Sequence, residues 1–211
     1  MDQPNPQVTQ ETPAQPDKST NKNEKGFLAE LFETILMAVL IFVVINTITI
    51  RVTVINYSMR PTLDQGYYLL VNRLAYRFGE PKRGEIVIFH HNGDDSEDYI
   101  KRMIGLPGDR VVITDGTVSV NGQALIEPYR ADQGHSNGEW VVPEGQYFVL
   151  GDNRNHSSDS RDWGFVDKDW MVGKALVVYW PFDQAKILAT PNQVQAANSP
   201  NVNNIQIILS W

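Results

Sequence analysis

Two side chains in this sequence, Ser58 and Lys101, could together carry out nucleophilic catalysis. A serine hydroxyl attacks a carbonyl carbon only when a base takes its proton, and a lysine amine can be that base only while it is neutral. Burial in an apolar site lowers the pKa of an amine, because the ammonium form loses its hydration. Lys101 lies between Ile100 and the pair Met103-Ile104, so its neighbours fit a buried site. A fall of its pKa from about 10.4 to about 8 would cost roughly 3 kcal/mol, which a packed core can supply.

Each of these two residues also has a simpler interpretation. Ser58 lies in the octet of residues 56–63, which contains Pro61 and is equally typical of an ordinary turn. Lys101 could be a surface lysine at the edge of a strand. Neither residue identifies a site by itself, because a site also depends on the elements that position its side chains.

Short strands are the main elements that the sequence predicts. Alternating apolar and polar residues at 48–55 predict a strand just before Ser58. Segments rich in Val, Ile, Tyr and Phe predict further strands at residues 67–71, 85–89, 110–114, 117–120, 140–142, 146–150 and 175–180. The pairs Asp115-Gly116 and Asn121-Gly122 predict tight turns between strands. We therefore predict a mainly β domain at residues 51–182, without a soluble helix, followed by a polar C-terminal tail at residues 183–211.

An apolar run near the N-terminus predicts a membrane anchor. Residues 34–50 carry no charge, and we assign residues 27–50 to one transmembrane helix. The alternative, a buried core helix, is not favoured because no amphipathic face is visible. Residues 1–26 are rich in Pro, Gln, Asn and Thr and predict a disordered cytoplasmic tail. Lysines before the run favour a cytoplasmic N-terminus, which would place the remaining chain outside; they are Lys18, Lys22 and Lys25.

Several other kinds of chemistry lack the residues that they need. The absence of cysteine excludes disulfides, thiolate metal sites and a cysteine nucleophile. The four histidines have no metal-ligand spacing, and the polar residues 151–161 do not match a calcium loop, so we predict no metal and no cofactor. A Ser-His-Asp triad can assemble from distant positions, but no glycine-rich nucleophile elbow surrounds any serine. The net charge of −7 argues against a nucleic-acid partner.

Four stretches, in this order behind an N-terminal anchor, resemble the type I signal peptidases. They are residues 58–63, 83–89, 99–109 and 151–161. Each is weak evidence alone, but together they are specific, and the resemblance covers most of residues 34–180. It implies a signal-peptidase-like all-β domain on the extracytoplasmic face of the cytoplasmic membrane, in contact with lipid. The implied activity is that of a serine endopeptidase that removes signal peptides from exported preproteins.

The resemblance also implies roles for individual residues. By position, Ser58 matches the nucleophile and Lys101 the general base. Residues of the fourth stretch would support the lysine, with the Ser157 hydroxyl orienting its amine and an Asp159–Arg161 pair behind it; the set is Asp152, Arg154, Ser157, Asp159 and Arg161. Shallow apolar pockets would select small side chains before the cut, and the residues that match pocket-lining places are Val52, Val54, Met59, Leu63, Tyr99 and Ile100.

The sequence departs from the family's pattern just before the nucleophile. The family usually has a proline three residues before it and a small residue two before it, where this chain has Ile55 and Asn56. In members with a serine at the second place, that hydroxyl and the backbone N–H of the nucleophile stabilise the oxyanion. We predict that the Asn56 amide takes the place of that hydroxyl. The alternative is that Asn56 only caps the turn before Ser58.

Two other functions stay open on the sequence alone. The departure at Asn56 would be compatible with an inactive paralogue that binds signal peptides without cutting them. A self-cleaving SOS repressor uses the same serine-lysine chemistry on a related fold. Such repressors carry an N-terminal DNA-binding module, however, where this chain has an apolar anchor.

Overall fold

The computed structural model describes residues 22–191, which form two helices, twelve strands and three short 3-10 helices. The helices are α1 (Lys22–Ile48) and α2 (Ser160–Trp163). The strands are β1 (Thr49–Thr53), β2 (Tyr68–Asn72), β3 (Ile86–His91), β4 (Asp94–Gly105), β5 (Arg110–Thr114), β6 (Thr117–Val120), β7 (Gln123–Ala124), β8 (Gly138–Val141), β9 (Gln146–Leu150), β10 (Val166–Asp167), β11 (Met171–Trp180) and β12 (Lys186–Ile187). The prediction of a mainly β protein with one N-terminal apolar helix is confirmed, whereas the prediction that the β domain has no helix is wrong, since α2 forms one short turn of helix there.

The strands form two antiparallel sheets. The larger sheet has the order β1-β2-β11-β3-β4-β9-β10, with β12 paired to β11, and the smaller sheet has the order β7-β6-β5-β8. The predicted turns Asp115-Gly116 and Asn121-Gly122 join β5 to β6 and β6 to β7. All four of these residues have positive φ, as two-residue hairpin turns of this type require.

The longest strand, β4, shows where pattern reasoning fell short. Its first half is acidic, with Glu97 and Asp98, which hides the period of a strand in the sequence. In the structure, β3 pairs with β4 from His91 to Ile86, and β9 pairs with β4 only from Arg102 onward. Tertiary pairing therefore overrides weak local propensity, and it places Lys101 just before the point where β9 joins β4.

Buried apolar side chains form three clusters around the two sheets. One cluster packs on β2 and β11 and includes Val54, Met59 and Leu63, which flank Ser58 in the sequence. Burying one such side chain typically contributes about 1.5–3 kcal/mol. The chain around Ser58 is thus fixed by three buried side chains rather than by strand pairing.

Helix α1 is the one helix within residues 22–191 that is long and apolar enough to cross a membrane. Its apolar part, Gly26–Ile48, has a mean hydropathy of 2.5, and none of its most apolar window is buried. The predicted bounds need correction at both ends. Lys22 to Gly26 are helical rather than part of a disordered tail, and Thr49 and Ile50 belong to β1, where they pair with β2. The remainder of the predicted tail, residues 1–21, lies outside the described residues.

The C-terminal part of the domain also extends further than predicted. Strand β11 begins at Met171, and Lys186 and Ile187 pair with it as β12, so the predicted polar tail at 183–211 starts with ordered structure. Backbone pairing with β11 explains this, since the local sequence is polar and has no strand pattern. Residues 192–211 lie outside the described part of the chain.

Candidate active site

The predicted nucleophile and the predicted base meet inside the β domain. Ser58 lies in the turn that follows β1, and Lys101 lies on β4, opposite Val87 of β3. The Lys101 amine donates a hydrogen bond to Ser58 Oγ, with 2.8 Å between Nζ and Oγ. Both residues are buried, Ser58 at 9% exposure and Lys101 at 4%.

Burial sets the protonation of this lysine. Loss of hydration lowers the pKa of Lys101 from 10.5 to about 8, although the nearby Asp159 carboxylate acts in the opposite direction. Arg161 lowers the pKa further, by like-charge repulsion. The neutral amine is therefore well populated at mildly alkaline pH, and it can accept the proton of the hydroxyl that it touches.

The turn that carries Ser58 is held from two sides. On one side, Met59 is fully buried in the core, and its carbonyl accepts a hydrogen bond from Leu63 N–H at 2.8 Å. On the other side, Asn153 N–H donates to the Ser58 carbonyl at 3.0 Å, and the Asn153 amide donates to the Tyr57 carbonyl at 3.2 Å. The position of the serine backbone thus depends on the loop that contains Asn153.

Gly151 begins this loop and leaves no room for a side chain. A Cβ atom at this position would lie 2.2 Å from Ser157 Oγ and 2.6 Å from the Ser58 carbonyl oxygen. The Gly151 N–H donates to Asp159 Oδ2 at 3.0 Å, and its carbonyl accepts from Arg154 Nε at 3.0 Å. The absence of a side chain at Gly151 lets residues 151–161 pack directly against the serine turn.

The predicted Asp159–Arg161 pair is formed. Arg161 Nε lies 2.7 Å from Asp159 Oδ1, and a second guanidinium nitrogen lies 2.9 Å from Oδ2. Asp159 also caps α2, in a capping box with Asp162. Arg161 donates to the carbonyls of Arg154 and Ser157 at 2.9 and 3.2 Å. This ion pair of the buried Asp159 and the partly buried Arg161 therefore organises the loop, and it lies close enough to Lys101 to influence its pKa.

Asp152 and Arg154 do not pair with one another. Asp152 binds the guanidinium of Arg102 through two contacts of 2.7 and 2.6 Å, and it accepts a hydrogen bond of 2.5 Å from the Thr62 hydroxyl. Arg154 instead forms a buried ion pair with Glu127. Asp152 thereby ties the strand that carries Lys101 to the turn that carries Ser58.

Sequence reasoning missed Arg102 and Glu127. A signal for Arg102 was present, since it is a charged residue beside Lys101 in an apolar stretch of strand, where neighbouring side chains point to opposite faces. Such a residue needs a buried counter-charge. The guanidinium carbon of Arg102 also lies 3.9 Å from the centroid of the Tyr129 ring, and nothing in the sequence indicated this contact.

Ser157 lies near the site but does not make its expected contact. Its Oγ atom is buried, and it has no hydrogen-bond partner among the residues that the structure describes. The hydrogen bond from Ser157 to the lysine amine, implied by the resemblance, is therefore not formed here. Packing against Gly151 accounts for its place, because Ser157 Oγ fills the space that a Cβ on that glycine would occupy.

An open groove of about 1110 Å³ runs past Ser58 and Lys101. One wall is residues 51–60 and the other is residues 97–101 of β4, with Asn153, His156 and Ser158 at the end. Along this wall β4 pairs with β3 alone, so its other backbone edge is unpaired within the described residues. Five of the six predicted pocket residues line the groove: Val52, Val54, Met59, Tyr99 and Ile100. Leu63 does not, because it is completely buried in the core behind the turn.

Asn56 also lines this groove. It is exposed, and its side-chain amide has no hydrogen-bond partner within residues 22–191. A residue that capped the turn would bind a backbone group there. The free amide leaves Asn56 available to a ligand in the groove.

In the described part of the chain, the histidines make hydrogen bonds and ring contacts outside the Ser58–Lys101 pair. His156 is exposed, as expected, and its Nδ1 lies 3.2 Å from Asn153 Oδ1. His91 stacks on Tyr99 with 4.4 Å between ring centroids. Among residues 22–191, no group of three histidine or carboxylate side chains is arranged to hold a metal ion.

Comparison with known proteins places these residues in a family. The family model described as "Signal peptidase, peptidase S26" matches residues 28–180. The chain is 38% identical over 199 residues to a signal peptidase I of Leptolyngbya laminosa, covering 90% of this chain and 96% of the relative. It is 40% identical over 176 residues to a probable signal peptidase I-2 of Synechocystis sp., and the match covers 79% of this chain and 80% of the relative. A crystal structure of a signal peptidase I from Enterococcus faecalis is 34% identical, with a TM-score of 0.41, covering 45% of this chain and 96% of that one. With a matched span of this length and relatives at this identity, the chain belongs to the signal peptidase family, peptidase S26.

Proposed function

We propose that this protein is a membrane-bound serine endopeptidase that removes signal peptides from exported preproteins, with Ser58 as nucleophile and Lys101 as general base. The observation that carries the proposal is the 2.8 Å contact between Ser58 Oγ and a buried lysine amine whose pKa is lowered to about 8. Family membership supports the same reaction. The groove beside the two residues supports an extended peptide as the substrate.

Acylation is the first half of the reaction. The neutral Lys101 amine takes the proton of the Ser58 hydroxyl while Oγ attacks the scissile carbonyl carbon, which reverses the direction of the hydrogen bond between them. The carbonyl oxygen becomes an oxyanion. When the C–N bond breaks, the Lys101 ammonium gives its proton to the leaving amine, and the signal peptide stays bound to Ser58 as an ester.

Deacylation repeats these steps with water. Lys101 is neutral again, so it takes a proton from a water molecule that attacks the ester carbonyl. Collapse of the second tetrahedral intermediate returns the proton to Ser58 Oγ and releases the signal peptide as a carboxylic acid. In both halves the Ser58 backbone N–H and the free Asn56 amide would donate to the oxyanion.

The substrate would add to the sheet as a further strand. The unpaired edge of β4 at residues 97–101 offers backbone donors and acceptors, and residues 52–56 face it across the groove. Apolar Val52, Ile100 and Tyr99 would accept small side chains next to the cleaved bond and exclude larger ones. Preproteins with large side chains at the positions next to the cleaved bond should therefore be cut slowly.

The membrane would hold both enzyme and substrate. The lysines before the apolar part of α1 favour a cytoplasmic N-terminus, so the β domain would lie on the extracytoplasmic side, where a preprotein emerges. Ser58 follows the end of α1 by ten residues of chain, from Ile48. Lipid is thus an expected partner of the intact protein.

The test is cleavage by the purified full chain in detergent, with sequencing of the new N-terminus of a preprotein. Ser58→Ala and Lys101→Ala should each lower kcat by about 10⁴-fold or more, because the two side chains act as one unit. Ser158→Ala is a matched control, since this serine lines the same groove and is exposed. If Lys101→Ala kept more than about a tenth of wild-type turnover, Lys101 would not be the base. Binding of the signal peptide without any cleavage by the wild type would favour the inactive paralogue instead.

A further inference from the structure

The loop that follows β2, residues 73–79, exposes two arginines and a phenylalanine. Arg73 and Arg77 are exposed, and neither guanidinium has an ion-pair or hydrogen-bond partner within residues 22–191. Phe78 is 86% exposed. Single exposed apolar side chains are common on protein surfaces, so the exposure of Phe78 indicates a binding surface only if the loop lies where a partner would be.

The loop lies next to the end of the apolar helix. The Arg73 N–H donates a hydrogen bond to the carbonyl of Ile48 at 3.1 Å. Ile48 is the last residue of α1 and of Gly26–Ile48, the part that is long and apolar enough to cross a membrane. An apolar helix leaves the hydrocarbon where its apolar residues end, so with α1 across a bilayer this hydrogen bond would place the backbone of Arg73 near the lipid headgroups.

The loop is also held firmly by the domain. The hydroxyl of the buried Tyr76 donates a hydrogen bond to Glu85 Oε2 at 3.0 Å. At the start of the loop, Leu74 N–H donates to Asn72 Oδ1 at 2.9 Å, and Arg77 N–H donates to the Leu74 carbonyl at 3.2 Å. A fixed loop presents its outward side chains without a large loss of conformational entropy on binding.

A cavity of about 640 Å³ opens beside the two arginines. Its apolar lining comes from Ile50, Met171 and Val172, and its remaining cation, Lys168, already pairs with Glu80. The carboxylates Asp98 and Asp169 lie in the same cavity and oppose an anion there. The two free guanidinium groups are thus the features of the cavity that can bind phosphate, for which their planar shape is suited.

We propose that residues 73–79 dock on the membrane surface by binding phosphate groups of anionic phospholipids through Arg73 and Arg77, with Phe78 inserted beneath them. The occupant is the leaflet in which α1 ends. The inference depends on the membrane assignment of α1 and not on the cleavage reaction. It adds a second membrane contact that would restrict rotation of the β domain about its anchor.

The test places a probe at the tip of the loop. The sequence contains no cysteine, so Phe78→Cys in the full chain can be labelled at one site with an environment-sensitive fluorophore. The labelled protein is reconstituted in phosphatidylcholine vesicles with and without phosphatidylglycerol, and quenching by spin-labelled lipid is measured. Emission should shift to the blue and be quenched when phosphatidylglycerol is present. When the labelled protein also carries both Arg73→Gln and Arg77→Gln, the ratio of docked to free loop should fall roughly 30-fold, as expected for the loss of two cations at an anionic surface.

Matched controls separate docking from general effects. A fluorophore at Gln123→Cys, exposed on β7, should report water in every vesicle. Arg110→Glu makes the same charge change as the double variant at an exposed site on β5, and it should leave docking unchanged. Each variant should still cleave a peptide in detergent, which shows that it is folded and tests the proposed function separately.

Three results would overturn the proposal. The first is equal insertion in vesicles of phosphatidylcholine alone, which would make the contact purely apolar. The second is an unchanged response in the double arginine variant. The third is the same blue shift on adding inorganic phosphate to phosphatidylcholine vesicles, which would identify a free anion rather than lipid as the ligand.

Discussion

At the scale of single residues, Lys101 combines two requirements that conflict in water. As the proposed general base, its amine must touch Ser58 Oγ, and a useful fraction of it must be neutral near physiological pH. Burial meets both, since the core that positions the side chain also removes its hydration and lowers its pKa to about 8.

This pKa predicts how activity depends on pH. Below about pH 8 the amine is protonated and cannot accept the serine proton, so kcat/KM should fall about tenfold per pH unit on the acid side. Above that pH it should level off. The measurement is kcat/KM for a peptide substrate from about pH 6 to about pH 10, with circular dichroism at each pH to check the fold. A flat profile down to about pH 6 would contradict a lysine base.

Asn56 gives a second prediction at this scale. An amide that donates to the oxyanion acts in the transition state, so Asn56→Ala should lower kcat by about 10²- to 10³-fold with little change in KM. Asn56→Ser should recover much of the rate, since its hydroxyl can donate from the same place. If Asn56 only caps the turn, the alanine variant should lose about 1 kcal/mol of stability and keep kcat within a few-fold. Steady-state kinetics and a melting curve distinguish the two outcomes.

At the scale of elements, the loop of residues 151–161 positions both halves of the site. Asp152 connects Arg102 on β4 with Thr62 in the serine turn, and Asn153 holds the Ser58 carbonyl. Gly151 allows this close approach. The loop therefore acts through packing and hydrogen bonds, without supplying the base itself.

A methyl group at Gly151 tests this arrangement. In Gly151→Ala the new Cβ would overlap the Ser58 carbonyl oxygen and Ser157, so the serine turn must shift. A shift of about 1 Å in a reacting group can cost about 10²-fold, and we expect kcat to fall by that order. Gly105→Ala is the control, because a Cβ there would be crowded by Val111 and Phe148 within the core. That variant should lose stability but keep kcat in the folded fraction; an equal loss of kcat in both variants would remove the argument for positioning.

At the scale of the whole molecule, the β domain is stabilised independently of the helix. The three core clusters, with the partly buried residues packed on them, contain no residue before Ile50. The chain divides into compact units between Ile45 and Asn46. The anchor should consequently affect where the enzyme works more than how it is folded.

Removing residues 1–45 tests that separation. The shortened chain should melt cooperatively and cleave a short peptide in detergent with kcat within a few-fold of the full chain, since it keeps every buried core residue. Cleavage of a preprotein inserted in vesicles should fall much further, because the enzyme is no longer confined to the membrane. A chain that failed to melt cooperatively would show that α1 also stabilises the fold. The same deletion carrying Ser58→Ala controls for contaminating peptidases.

The sequence by itself determined the features that depend on neighbouring residues. A long uncharged apolar run without an amphipathic face predicts a membrane helix, and Asp115-Gly116 predicts a hairpin because few other residues adopt positive φ. The mainly β fold and the helix were predicted in this way, the family was predicted from its resemblance in four ordered stretches, and all three are confirmed. Ser58 and Lys101 were singled out from four ordered stretches, and their catalytic roles stay predictions.

Only the tertiary structure decided which distant residues meet. Arg102 and Asp152 are 50 positions apart, and their pairing follows from the way β4 and the loop after β9 fold together. Leu63 was expected in a pocket and is buried instead, while β4 extends through an acidic segment because β3 holds it. The free amide of Asn56 likewise became visible only from its surroundings. Local geometry is set within a few residues of chain, whereas partner choice and burial depend on packing between segments far apart in the sequence, which no local pattern encodes.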